Sequence, residues 1–161
     1  VETLSQTHTA ELDRFRRKLE RGELQGHYYV TLLGLRTFDT QGLLRRIRKG
    51  LSFRAWERFR RVTALPVEAL ARFVQITSRT LSRRKEEGRL HADESERLVR
   101  AARVFASALA LFEGDREQAR RWLLAPQPGL GGTAPLDYAA TELGAGEVEA
   151  LIGRLEHGIP S

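Results

Sequence analysis

An all-α fold is what this 161-residue sequence predicts, and three observations predict it. Apolar residues recur at helical spacing, as at Val67, Leu70, Ala71 and Val74, or along Leu98, Ala101, Ala102, Phe105, Ala108, Leu109 and Phe112. Capping residues and glycines stand where such stripes begin and end, Thr77 before one basic segment and Gly88 after it. Only the short run His27–Leu35 fits a strand as well as a buried helical turn, and periodicity does not separate the two.

Taken in order, Thr9–Arg21 is a charged helix with a thin apolar side (Leu12, Phe15, Leu19) that ends at Gly22; such a helix packs weakly or stays mobile. Asp39 or Thr40 caps a helix through Ile47 and Lys49 to Gly50. Phe53, Trp56 and Phe59, followed by Val62, make the next stripe, and aromatics at this spacing suit a core better than a ligand platform. Pro66 suits the first position of the short helix that carries Val67 to Val74, and Thr77 or Ser78 caps the one behind it. Beyond Gly88, Asp93 and Glu94 belong in the first turn of the longest helix, whose wide apolar face makes it a central core helix; its small residues would also allow part of it to form a dimer seam. Asp115–Leu124 turns Ala119, Trp122 and Leu123 inward and is stopped by Pro126 and Pro128. The stretch Gly129–Ala139 is a structural turn, since Gly131-Gly132 lacks the lysine and hydroxyl of a P-loop and follows no strand. Glu147–His157 is amphipathic through Val148, Leu151, Ile152 and Leu155, and ends at Gly158 and Pro160. These elements divide the chain into an N-terminal helical arm at 1–35, a helix-turn-helix unit at 36–92, a connecting or dimerisation helix at 93–113 and a small helical C-terminal domain at 114–161.

Gln75–Lys85 carries three arginines and a lysine on a helix just behind an amphipathic one, the arrangement of a helix-turn-helix with a basic recognition helix. Stepping about 100° per residue from Leu81, the opposite face carries Arg79, Arg83 and Glu86, with Ser82 at its edge. With Leu81 in a core, Arg79 and Arg83 point to solvent, where a guanidinium fork fits phosphate oxygens or the O6/N7 edge of guanine. Arg84 and Lys85 lie nearer the Leu81 side and would snorkel outward to reach phosphates. A basic helix alone is more often a solvated face, but charge distribution favours DNA. Residues 1–90 hold 20 of the 27 lysines and arginines and 10 of the 21 acids, net +10, whereas residues 91–161 are net −4.

Other classes fit poorly. Without cysteine there are no disulfides or thiolate metal sites, and the four histidines have no helical ligand spacing, so neither metal nor cofactor is expected. No apolar run approaches the ~18 residues of a membrane span and no signal pattern opens the sequence, so a cytoplasmic protein with no membrane partner is expected. No nucleophile–histidine pairing or nucleotide motif suggests an enzyme, and the carboxylates Glu94 and Glu96 are explained by the helix macrodipole.

The residues also carry a family resemblance. Ser78-Arg79-Thr80-Leu81, Arg83-Arg84-Lys85, Gly88-Arg89-Leu90, Glu94-Ser95-Glu96-Arg97-Leu98, Trp122-Leu123, Pro126, Leu130-Gly131-Gly132, Pro135-Leu136-Asp137 and Arg154-Leu155-Glu156-His157-Gly158, extended upstream by Leu33-Gly34-Leu35 and Gly50-Leu51, resemble the Xre/MbcA/ParS antitoxins in order and spacing. The resemblance spans roughly residues 30–158 and departs at Gln75, where glycine is expected; a left-handed residue there is strained. It implies a type II toxin–antitoxin system with a C-terminal toxin-binding domain, a RES-domain toxin that consumes NAD and whose pocket the antitoxin covers, and repression of its own operon at an inverted repeat. Homodimers would read such a repeat. Carried onto this chain, the DNA-binding residues are Ser78, Arg79, Ser82, Arg83 and Arg84, with Lys85 beside them. The toxin-binding residues lie in the Gly131–Asp137 loop (Gly131, Pro135, Asp137) and on the last helix, where Glu149, Gly153, Arg154, Glu156 and His157 lie off the apolar stripe or at its edge. Arg154 stands out because positions 150, 151, 157 and 158 offer it no acid, leaving it either a solvated arginine or a partner contact. The alternative is a stand-alone helix-turn-helix transcriptional regulator whose acidic C-terminal half serves dimerisation or an effector.

Overall fold

The computed structural model describes residue 10, residues 12–17 and residues 26–158. Among them the regular elements are helices, and pairing of extended backbone is confined to the isolated bridges Ser52–Arg89 and Gln127–Thr133. The ambiguous run is resolved as a 3-10 helix, Tyr28–Leu33, closed by Gly34 in the left-handed region. Then follow α1 (Thr40–Lys49), α2 (Phe53–Thr63), α3 (Val67–Val74), α4 (Ser78–Glu87), α5 (Ala92–Leu111) and α6 (Arg116–Leu124). A 3-10 turn (Pro128–Leu130), α7 (Pro135–Tyr138) and α8 (Glu142–Glu156) complete the order.

The caps explain most boundaries. Asp39 rather than Thr40 starts α1, its carboxylate accepting the Gly42 N–H at 2.8 Å. Asp115 does the same for α6 through Gln118 at 3.1 Å. On α2 the aromatic stripe is core as expected, with Phe53, Trp56, Phe59 and Val62 at most 6% exposed. On α3 the buried set is Ala69, Leu70, Phe73 and Val74, so the inward face is rotated from the expected one and Val67 and Ala71 lie at its margin.

Helix α5 is the centre of the molecule, packing against the first 3-10 helix, α1, α2, α3, α6 and α8. Leu98, Ala101, Ala102, Phe105, Ala108 and Leu109 are all at most 1% exposed. This face is therefore consumed within the chain, while Ala106 and Ala110 on its flank remain partly exposed. One hydrophobic cluster runs from Leu12 to Ile152.

Two expectations are corrected here. Residues 12–17 are helical and not weakly packed: Phe15 is 2% exposed beside Tyr28, ring centroids 6.1 Å apart, and Arg16 donates to the Gly114 carbonyl at 2.8 Å. Two large side chains, Leu12 and Phe15, suffice because both are buried in the core cluster. The parts of that expectation resting on Thr9, Leu19, Arg21 and Gly22 lie outside the described residues, as does Pro160. The last helix starts at Glu142, five residues earlier than expected, with the Thr141 hydroxyl accepting from the Gly144 N–H at 3.0 Å. Its first turns contain two glycines, which weaken the helical signal; Gly144 is there because a Cβ would collide with the Tyr138 carbonyl. Arg103 fastens this helix to α5 by pairing with Glu142 at 2.7 Å and Glu149 at 2.8 Å, and Arg100 joins Glu142 at 3.0 Å.

Candidate functional site

The turn between α3 and α4 is built around Gln75, at φ 60° and ψ 48°. A side chain in this left-handed region is strained by about 1 kcal/mol, the departure from glycine foreseen above. The turn is held by the Gln75 N–H to the Arg72 carbonyl (3.2 Å), the Ile76 N–H to the Ala71 carbonyl (3.0 Å) and the burial of Ile76. Thr77 then caps α4, its hydroxyl accepting from the Thr80 N–H at 3.1 Å. Leu81 is partly buried against the core, which sets the rotation of the helix. Ser78, Arg79, Ser82, Arg83 and Lys85 are exposed as a result. Arg83 has only a loose contact with Glu87 at 3.8 Å, and Arg79 and Lys85 have no ion-pair partner among the described residues.

Arg84 is not part of this surface, contrary to expectation. It is 4% exposed, and its Nε and Nη2 donate to the two carboxylate oxygens of Glu94 at 2.7 and 3.1 Å. Glu87 at 3.4 Å and His91 Nδ1 at 3.1 Å complete its surroundings. Burial alone would raise the Glu94 carboxyl, but hydrogen bonds from Arg84 and the His91 N–H outweigh it and hold the group below its ordinary range. Since Glu94 also caps α5 by accepting from the His91 N–H at 2.8 Å, the pair fixes the angle between α4 and α5.

The C-terminal candidates separate in the same way. Pro135 is buried at the first position of α7. The Glu149 carboxylate is taken up by Arg103, which makes it part of the α5–α8 fastening. Gly131, Asp137, Glu156 and His157 are exposed; Asp137 has a loose surface contact with Arg72 at 3.5 Å, and the His157 ring lies 2.8 Å from the Gly153 carbonyl. Gly153 and Arg154 are partly exposed, and Arg154 has no ion-pair partner among the described residues. Sequence reasoning missed Leu143, 81% exposed, and Tyr138, 37% exposed. Once the helix begins at Glu142, Leu143, Gly146, Glu147, Ala150, Arg154 and His157 share one outward face at helical spacing.

A short helix, a left-handed turn and a capped helix with a free cationic face define a helix-turn-helix protein, here with a helical C-terminal extension on the same core. Residues 42–103 match the family model of the antitoxin Xre-like helix-turn-helix domain, and residues 107–158 that of the antitoxin Xre/MbcA/ParS C-terminal toxin-binding domain. The chain belongs to the Xre/MbcA/ParS antitoxin family, which is non-enzymatic. It is similar to proteins named Antitoxin Xre from Yersinia enterocolitica (44% identical over 97 residues, 60% of this chain and 66% of that one) and Photorhabdus laumondii (44% over 93 residues, 57% and 63%). A third, from Pseudomonas putida, is 37% identical over 84 residues, 52% of each chain. The chain thus spans about half to two thirds of the length of these curated relatives. The boundary between the matched segments falls inside α5. No helix among the described residues is long and apolar enough to cross a membrane.

Proposed function

We propose that this chain is a cytoplasmic antitoxin of a type II toxin–antitoxin system. It binds and neutralises a RES-domain toxin that consumes NAD by covering that toxin's active site, and represses its own operon by binding DNA as a homodimer. The observation that carries the reading is the presence, on one core, of a basic α4 free to enter a major groove and a last helix whose outer face is unused within the chain. Arg79, Arg83 and Lys85, with Ser78 and Ser82 between them, are the DNA-reading residues. Two copies of α4 enter successive major grooves about one helical turn apart.

The toxin-facing surface centres on α8. Leu143 supplies an apolar anchor and Arg154 a guanidinium fork for acidic groups in the partner's pocket. Gly146 and Gly153 have open space where a Cβ would stand, so neither is required by the packing of this chain. In mid-helix each lowers stability by about 1 kcal/mol relative to alanine, which is compensated if a partner backbone approaches there. Gly131, Asp137, Glu156 and His157 border this surface.

The test is co-purification of the chain with the product of the neighbouring gene, followed by NAD consumption by that product with and without the chain. A tight complex that silences NAD loss is expected. A partner that neither binds nor consumes NAD would sink the antitoxin reading and leave a helix-turn-helix regulator.

A further inference from the structure

A second concentration of positive charge lies away from the outer face of α4. Where the end of α1 meets the start of α2, a cleft of about 420 Å³ is lined by Arg46, Lys49, Arg54, Arg58 and Arg89. A smaller cavity of about 230 Å³ adjoins it through Gly34, Leu35 and Arg58 and adds Arg14 and Arg36. Among the described residues, no aspartate or glutamate lines either one. Arg46 donates to the Thr37 hydroxyl at 3.0 Å and Arg89 to the Gly50 carbonyl at 2.7 Å, both neutral groups. Lys49 and Arg54 are exposed and have no ion-pair partner among the described residues.

No ion pair within the described residues accounts for Lys49 and Arg54 in this cleft. Converging cations repel one another, and α2 has no acid in its first turn but places Arg54 there, where the macrodipole disfavours a positive charge. The first N–H groups of α2 are already used, Phe53 to the Gly88 carbonyl at 3.0 Å and Arg54 to the Ser52 hydroxyl at 3.3 Å, so an incoming anion is met by side chains. Arg89 links the cleft lining to the end of the recognition helix. Arg89 directly follows the glycine that ends α4, and its backbone bridges to Ser52 on the cleft rim.

We propose that this cleft clasps the phosphodiester backbone of the duplex beside the groove that α4 enters. The proposal rests on the reading of α4 as the DNA-binding helix and adds a contact that supplies affinity and register without reading sequence. Guanidinium forks match pairs of phosphate oxygens, while Lys49 acts as a point charge.

The experiment compares the full chain, the double variant Lys49→Ala/Arg54→Ala and Arg79→Ala by fluorescence anisotropy over a series of salt concentrations. The probes are the duplex upstream of the chain's own gene and a scrambled duplex of equal length, and circular dichroism checks the fold of each variant. The double variant is expected to lose roughly tenfold or more on both duplexes, with a plot of log affinity against log salt shallower by about 2. Arg79→Ala is expected to lose mainly on the upstream duplex. An unchanged salt slope in the double variant, with Arg79→Ala impaired, overturns the cleft and leaves α4 standing. Failure of the unaltered chain to bind either duplex overturns both readings. Normal DNA binding by the double variant with lost binding to the neighbouring gene's product overturns the proposal in favour of an acidic protein surface.

Discussion

Helices α4 and α8 each turn one face into the same core and the other outward, but the outward faces differ in chemistry. On α4 the outer residues are Arg79, Arg83 and Lys85 with the small hydroxyls of Ser78 and Ser82. On α8 they are Leu143, Gly146, Glu147 and Ala150, with one unpaired guanidinium at Arg154. A face of cations and hydroxyls gains little from burying apolar area and much from a polyanion, whereas a small, mostly neutral face with a protruding leucine gains from close contact with another protein. The same contrast separates residues that look alike. Arg79 and Arg84 are five positions apart on one helix, yet one is free and the other belongs to the scaffold.

The largest expected effect tests that separation. Arg84→Ala strands the buried Glu94 carboxylate and should cost about 3–5 kcal/mol in urea unfolding. A loss below about 1 kcal/mol would return Arg84 to the surface face. The pair also has a pH signature. Glu94 and Glu142 are held below their ordinary value of 4.5 in the folded chain, so the stability they contribute is complete above that pH and is lost as pH falls through their folded values. The Tm of the unaltered chain should therefore drop on acidification below about pH 4.5, and the drop should be smaller in Arg84→Ala, where the Glu94 share is gone.

Next in size, Arg79→Ala should weaken binding to the upstream duplex by about 2 kcal/mol, roughly thirtyfold, with Tm unchanged. A parallel fall in Tm would mean that Arg79 is structural, which would erase its contrast with Arg84. Leu143→Asp addresses the other face: about 1–2 kcal/mol of affinity for the neighbouring gene's product should be lost in calorimetric titration, while DNA binding stays unaltered. If both partners were affected equally, the division of labour between α4 and α8 would fail.

The smallest effects are local. Gln75→Gly relieves the left-handed strain at φ 60° and should raise stability by about 0.5–1 kcal/mol without altering DNA affinity. Gly146→Ala should stabilise the isolated chain by a similar amount, because open space surrounds the added methyl, yet weaken the complex. An alanine variant that is more stable and binds as tightly would show that no partner backbone approaches there.

Much of this architecture is legible in the sequence. The Phe53, Trp56, Phe59 and Val62 stripe, the Thr77 cap and the inward face of α5 depend on neighbours within a turn or two of the chain, whereas the strain at Gln75 is implied by the family resemblance. The exposed arginines of α4 followed from the position of Leu81 by helical geometry alone. The start of α8 was obscured because Gly144 serves a contact with the Tyr138 carbonyl rather than helix propensity. Leu143 was consequently missed as a surface residue.

Helix positions, turn residues and the asymmetry of charge are short-range or additive properties, and a linear chain already contains them. Whether a given charged side chain reaches solvent is a different kind of quantity, because it depends on which other element arrives beside it. Glu94 reaches Arg84 only after the chain turns at Gly88, Arg103 spends its charge on Glu142 and Glu149 from a helix about forty residues away, and Lys49, Arg54 and Arg89 meet only when α1, α2 and the end of α4 pack together. Electrostatic partnership acts through space with no preferred spacing along the sequence, so only the tertiary structure could divide this chain's many arginines into those that hold the fold and those free to bind.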